Sequence, residues 1–139
     1  ANTLDSMVGY RTRRLAEFGR PSARLDDVIN WLPARIGGFL ICLAALPLPG
    51  ASVGRAFSTM WRHAERHRSP NAGWPEAAMA GALGLSLGGP RSAAGELVAE
   101  PWLGDGRDEA NRTDIKAALS LYRLAGMLLA APLLALALA

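Results

Sequence analysis

The hydrophobic pattern gives two apolar stretches set among polar ones. From Ile36 to Gly54 no residue carries a charge, and Arg35 and Arg55 close the run on either side. From Leu124 to Ala139 a second run, mostly Leu and Ala, follows Arg123. A membrane-spanning helix needs about 20 apolar residues, with roughly 17 as a lower bound, so both runs are short for a span. Pro47, Pro49 and Gly50 should stop a helix near Leu46, which makes 36–54 a short transmembrane or re-entrant segment. The terminal run has no polar face, so 124–139 is expected to be a C-terminal transmembrane helix.

The polar segments carry helical signals of their own. Residues 12–32 read as helix in two pieces parted by Gly19-Arg20-Pro21. Leu25, Val28, Ile29 and Leu32 share one face of the second piece, with Ser22 as its N-cap and Pro33 as its end. A helix is predicted from Phe57 to His67, stopped by Ser69-Pro70-Asn71. Another runs from Glu76 to Leu85, with Pro75 in its first turn, the small residues Ala77, Ala80 and Gly81 as its packing surface, and Gly88-Gly89-Pro90 as its end. Residues 91–111 read as irregular, with a turn at Gly104-Asp105-Gly106, and Thr113 caps a last helix that runs through Tyr122 into the terminal stretch.

The expected organisation is therefore a polar helical segment over 1–35, the short apolar segment over 36–54, a polar loop domain over 55–123 and the terminal helix over 124–139. The fold class is all-α: an integral membrane helical protein with polar helical loops, part of a larger multi-span fold. The competing reading is a soluble bundle in which both apolar runs are core helices. The chain starts at Ala1 without a basic segment leading into an apolar one, so no signal peptide is expected, and it reads as the C-terminal part of a longer protein.

Composition narrows the classes. Half the residues are apolar but only 6% are aromatic, which disfavours a β-sandwich. A single cysteine excludes an intramolecular disulfide framework and a Cys-rich zinc module. The net charge is +3, and 14 of the 15 basic residues are arginine. Acidic residues are mixed among them and no basic stripe with interleaved aromatics appears, so nucleic acid is not an expected partner.

Several clusters could carry chemistry. His63-Ala64-Glu65-Arg66-His67 spaces two histidines to share a ligand, but Glu65 lies about 200° round the helix from His63 and no third ligand is evident. It reads as a solvated Arg/His face. No phosphate-binding glycine loop is present, and Cys42 reads as packing. Asp26 and Asp27 point about 100° apart on a helix. With Asp5 they could hold magnesium beside phosphate oxygens, or they are a surface acidic pair beside Arg24. The densest segment, His67-Arg68-Ser69-Pro70-Asn71-Ala72-Gly73-Trp74-Pro75-Glu76, offers two basic side chains, a hydroxyl, an amide and a carboxylate just before a helix start, where free N–H groups favour an anion. Arg68 could make paired hydrogen bonds to a phosphate or carboxylate. The plainer alternative is a helix cap with Trp74 anchoring the loop.

Taken together, Asn2-Thr3-Leu4-Asp5-Ser6-Met7 with Gly9-Tyr10-Arg11, Ala23-Arg24-Leu25-Asp26-Asp27 with Asn30-Trp31-Leu32-Pro33-Ala34-Arg35, the 67–77 segment, Ala80-Gly81-Ala82-Leu83-Gly84, Leu87-Gly88-Gly89-Pro90 and Gly104-Asp105-Gly106 run in order along nearly the whole chain. This order resembles the adenosylcobinamide-phosphate synthases, integral membrane enzymes of vitamin B12 assembly. The resemblance implies ligation of adenosylcobyric acid to aminopropanol or its phosphate, with Mg-ATP as co-substrate and the corrinoid as substrate. It implies a multi-pass protein of the bacterial inner membrane with a cytoplasmic active site, completed by the N-terminal half of the same protein; the fragment alone is expected to be inactive.

The same resemblance assigns roles to residues. Asp5, Asp26 and Asp27 would hold magnesium. Arg11, Arg24 and Arg68 would bind phosphate or the propionate, with Asn2, Ser69 and Trp74 also on the substrate side. Asn71 and Glu76 would position the amine, with His67 or Glu76 as base, so that His67, Arg68, Asn71 and Glu76 form the catalytic set. Trp31 and Trp74 would contact the corrin or anchor loops. If 36–54 crosses the membrane once, the 2–35 and 67–76 motifs fall on opposite faces, and a shared site requires a re-entrant segment. The lack of a nucleotide motif supports a second class, a non-enzymatic corrinoid-handling membrane scaffold or transporter component.

Overall fold

The computed structural model describes residues 16–93 and 96–138, and helices dominate them. Helix α1 runs from Ala16 to Ala44 without a break. It passes through both Pro21 and Pro33, which correct the expected two pieces and the expected end. A proline inside a helix removes only its own N–H bond, and the helix-forming residues on either side of Pro33 carry the turn across that gap.

The chain divides into two units, 1–33 and 34–139. In the first, Leu25, Val28, Ile29 and Leu32, the face predicted by periodicity, are all exposed. The second holds the remainder of α1 and the other elements. Ile41, Cys42, Ala44 and Ala45 join Ala56, Met60, Trp74 and Ala78 in one core.

Helix α2 spans Val53–His63, four residues earlier than the expected start, because Ser52 caps it by accepting a hydrogen bond from the Arg55 N–H at 3.3 Å. A single 3-10 turn, Ala64–Arg66, follows it. Helix α3, Gly73–Leu83, packs closely on α2 through the small residues the sequence pointed to. Ala77, Ala78, Ala80 and Ala82 are fully buried, and any side chain at Gly81 would overlap the Arg55 carbonyl. This helix stops at Gly84, whose left-handed φ of 66° closes the last turn, and not at Gly88-Gly89-Pro90.

The expectation of an all-α fold needs correction between Gly84 and Ala110. Strand β1 (Leu87–Gly88) pairs antiparallel with β4 (Trp102–Leu103), and β2 (Arg91–Ala93) with β3 (Glu96–Val98). Prolines at 90 and 101 and positive φ at Gly88 and Gly89 exclude helix here, and the backbone groups pair across the chain instead. The fold is mostly helical with two small ladders.

Helix α4 spans Arg112–Ala137. Its cap is Asn111, not Thr113: the Asn111 side chain accepts from the N–H groups of Thr113 (2.8 Å) and Asp114 (3.1 Å), and the Asp114 carboxylate accepts from the Asn111 N–H at 2.8 Å. Leu121 and Ala125 are buried, whereas the leucines from Leu128 to Leu138 are exposed. Among the described residues two stretches are long and apolar enough to cross a membrane, Arg24–Ala44 and Arg112–Ala137. The first shares only 36–44 with the apolar segment 36–54, since the helix ends at Ala44 and the chain then turns through Ala45–Gly50 before α2.

Candidate functional site

The 3-10 turn changes the pitch between the two histidines and sends them to different places. His63 ends α2 with 1% of its surface exposed, so the solvated face expected for it is not found. Its Nδ1 accepts the Gly104 N–H at 2.9 Å, and its Nε2 lies 3.5 Å from the Asp105 carboxylate. Burial holds its pKa below the usual 6.5, with Arg66 and Arg62 adding to that and Asp105 opposing it. The neutral ring then carries its proton on Nε2, facing Asp105.

Arg62 reaches the same carboxylate at 3.1 Å. Gly104 and Gly106 are required by contact: a side chain would overlap the Leu85 carbonyl at the first and the Gly84 carbonyl at the second. Gly104 also has a φ of 109°, in the left-handed half of the map. The Gly104-Asp105-Gly106 segment is thus a packed turn, and it fixes the neighbouring Leu103, which is 1% exposed.

His67 starts the loop into α3. Its Nδ1 accepts the Ser69 N–H at 2.9 Å. The same Nδ1 lies 3.2 Å from the Ser69 carbonyl oxygen, and Nε2 faces Glu76 Oε2 at 3.4 Å, long for a hydrogen bond. Ser69 Oγ accepts from the N–H groups of Asn71 and Ala72, both at 3.4 Å. Asn71 is 7% exposed. Gly73 lets α3 begin against the 3-10 turn, since a Cβ there would overlap the Ala64 carbonyl, and this approach sets Glu76 opposite His67.

Trp74 is packed, with the Arg35 guanidinium 4.5 Å over its ring and Trp61 edge-on at 5.5 Å. Both contacts tie the start of α3 to its neighbours.

A pocket of about 300 Å³ opens between this loop and the β1–β4 ladder. His67, Arg68, Ser69 and Glu76 line one side; Gly88, Glu100, Pro101 and Leu103 line the other. Four of the predicted site residues therefore share one cavity. The others do not: Asn71 and Trp74 support the loop, Arg24, Asp26 and Asp27 belong to α1 in the other unit, and Asn2, Asp5 and Arg11 lie outside the described residues.

The fit to magnesium is partial. Among the described residues no three His, Cys, Asp or Glu side chains gather as a ligand set. Asp26 Oδ1 is nevertheless closed off from solvent without a hydrogen-bond partner, the condition of a carboxylate oxygen that a cation would satisfy.

A family model described as CobD/Cbib protein matches residues 1–122. The chain belongs to the CobD/Cbib family. A cobalamin biosynthesis protein CobD from Rhodobacter capsulatus is 49% identical over 136 residues, covering 96% of this chain and 42% of the relative. The protein of the same description from Brucella suis is 50% identical, covering 97% and 43%, and that from Yersinia enterocolitica 48%, covering 91% and 40%. The chain thus spans about two-fifths of the length of these curated relatives. No solved structure matches it.

Two residues that shape the site in this CobD/Cbib chain escaped sequence reasoning. Glu100 lies 24 residues beyond Glu76 in a stretch that looked irregular, and only the ladder pairing brings it to the pocket. His63 looked like half of a histidine pair, and only the pitch change shows that it pins a turn. The one sequence signal for that pin was the Gly-Asp-Gly spacing itself.

Proposed function

We propose that this chain is part of a cobalamin-biosynthetic ligase of the bacterial inner membrane, which joins adenosylcobyric acid to aminopropanol or its phosphate at the expense of ATP. The supporting observation is the single pocket that holds Arg68, Ser69 and the His67–Glu76 pair. The cobalamin biosynthesis proteins to which the chain is similar, and its two helices of spanning length, agree with that reading.

A carboxylate does not condense with an amine in water unaided. In the proposed reaction a carboxylate oxygen takes the terminal phosphoryl group of ATP, the amine nitrogen attacks the carbonyl carbon, and the C–O bond to phosphate breaks. Phosphate carries off the oxygen, and the nitrogen gives up a proton. Mg-ATP is a co-substrate here, with Asp5, Asp26 and Asp27 as the carboxylates for its ion. Arg68 and Ser69 meet negative charge, with Arg11, Arg24 and Asn2 as further anion-binding groups. Asn71 holds the loop that presents them.

The contacts of His67 divide the remaining work. Its Nδ1 meets the Ser69 backbone and its Nε2 faces Glu76. Glu76, the carboxylate of that pair, is the base that receives the amine proton. The active site faces the cytoplasm, where ATP is, and is completed by the rest of the longer protein and by the bilayer that holds it.

The test uses membranes carrying the full-length protein, incubated with adenosylcobyric acid, Mg-ATP and either amine, with mass spectrometry for the condensed amide. Product that requires ATP and is lost in Arg68→Ala supports the ligase. No product from inserted protein with either amine refutes it and favours a corrinoid-handling scaffold or transporter component.

A further inference from the structure

A second cavity, of about 190 Å³, lies between α2, the end of α3 and the Gly104-Asp105-Gly106 turn. Arg55, Ser58, Thr59 and Arg62 line it from α2, and Gly81, Gly84 and Gly106 keep it open by adding no side chain. Its volume is that of roughly six waters in the liquid. Because α2 begins where α3 ends, the opposite end charges of the two helices offset each other, and the side chains set the sign of the site.

Arg55 is the uncommitted charge. Its guanidinium lies against the end of α3, where a Cβ on Gly84 would sit 3.3 Å from Nη1. Among the described residues it has no ion pair and no hydrogen-bond acceptor. It does not cap α3, because the carbonyls of Ala80, Gly81, Ala82 and Gly84 accept from the N–H groups of Leu85, Gly84, Ser52 and Arg107. The carboxylate at this cavity, Asp105, is held by Arg62 at 3.1 Å and faces His63. Arg62 also donates Nε to the Ser58 carbonyl at 3.3 Å, which leaves its Nη1 group.

Thr59 is a second, independent sign. It is 4% exposed, and its hydroxyl has no hydrogen-bond partner. The carbonyl four residues back, which a helical threonine ordinarily takes, accepts from Ser58 Oγ at 3.2 Å instead. Among the described residues the side-chain atoms sealed from solvent without a partner are Asp26 Oδ1 and Asn71 Oδ1. The Thr59 hydroxyl is therefore not sealed, and it opens onto the cavity that its side chain lines.

We propose that this cavity binds a phosphoryl group, with Arg55 as its principal cation and Thr59 and Arg62 as further donors. Three side chains converging on one point suit a tetrahedral oxyanion, whereas one guanidinium fork already satisfies a planar carboxylate. The group belongs to soluble phosphate or to a phospholipid headgroup. The inference uses no residue of the first pocket and does not rest on the ligase reading.

The test uses the full-length protein in detergent with Arg68→Gln as background, so that the first pocket adds no anion binding. Equilibrium dialysis against radioactive orthophosphate is the first arm. Arg55→Gln should weaken binding about 10- to 100-fold, the loss of one charge-assisted contact. Thr59→Val keeps the shape, removes the donor and should weaken it about 3- to 10-fold. Arg55→Lys should fall between, and serves if the glutamine form inserts poorly. In the second arm the same proteins are reconstituted in phosphatidylcholine vesicles with dansyl-tagged phosphatidic acid, and tryptophan-excited dansyl emission reads lipid binding. Arg55-dependent orthophosphate binding assigns the site to soluble phosphate, and an Arg55-dependent signal in the lipid arm alone assigns it to a headgroup. Binding that is absent in both arms, or equal in the background protein and all three variants, overturns the site. No turnover is needed, so failure of the ligase reading leaves the result intact.

Discussion

Replacing His63 removes the centre of the pin that holds the Gly104-Asp105-Gly106 turn. In His63→Ala the buried Gly104 N–H loses the acceptor it meets at 2.9 Å, at a cost of about 1–3 kcal/mol. The void left by a ring with 1% of its surface exposed adds roughly 2–4 kcal/mol. The turn can partly relax, so the net loss should be about 3–5 kcal/mol. His63→Gln offers an amide oxygen to the same N–H and should lose less.

The pH dependence separates the pin from simple packing. Because the folded pKa of His63 lies below 6.5, the unfolded chain takes up a proton first as pH falls. Its contribution is complete above pH 6.5 and is lost below that value until the folded ring itself protonates. One histidine gives a slope of at most about 1.4 kcal/mol per pH unit. Denaturant titration of the detergent-solubilised full-length protein, followed by tryptophan fluorescence between about pH 5 and 8, measures it directly. His63→Gln should flatten the curve in that window. Parallel curves for wild type and His63→Gln would refute a buried neutral histidine as the pin.

The remaining predictions concern positions with one clear physical demand. Gly104→Ala combines a φ of 109° with overlap of the Leu85 carbonyl and should cost about 2–4 kcal/mol, whereas Gly54→Ala meets open space and should be neutral or stabilising in the same titration. Asn111→Ala should cost about 1 kcal/mol by removing the α4 cap, and Thr113→Ala should change little; the opposite ranking would restore Thr113 as the cap.

Local signals were legible where they depend on neighbours in sequence. The small residues of α3, the helical break near Leu46 and the turn at Gly104-Asp105-Gly106 all follow from residue type and spacing. Boundaries were misread where the chemistry at a helix end had several candidates, as with Asn111 beside Thr113. Pro33 was misread because a proline signals one lost bond, and the strength of the flanking helix that outweighs it is not local. In the candidate site, the His67–Glu76 loop was legible as a cluster, but Glu100 became visible only as a wall of the pocket that Glu76 lines from 24 residues away, and His63 only through its bond to Gly104, 41 residues on.

The turn Ala64–Arg66 has a meaning beyond its length. In uninterrupted α-helix, residues four apart lie about 40° apart around the axis, close enough for both imidazoles to grip one ion. Three residues at the tighter pitch, about 120° each, rotate the second ring away from the first. Two identical side chains thereby become a lock for a turn and a wall of a pocket. Straightening the segment would bring back a chelating pair while emptying both posts, so a short change of screw pitch decides whether these histidines would form a metal clip or serve two separate ends of one site.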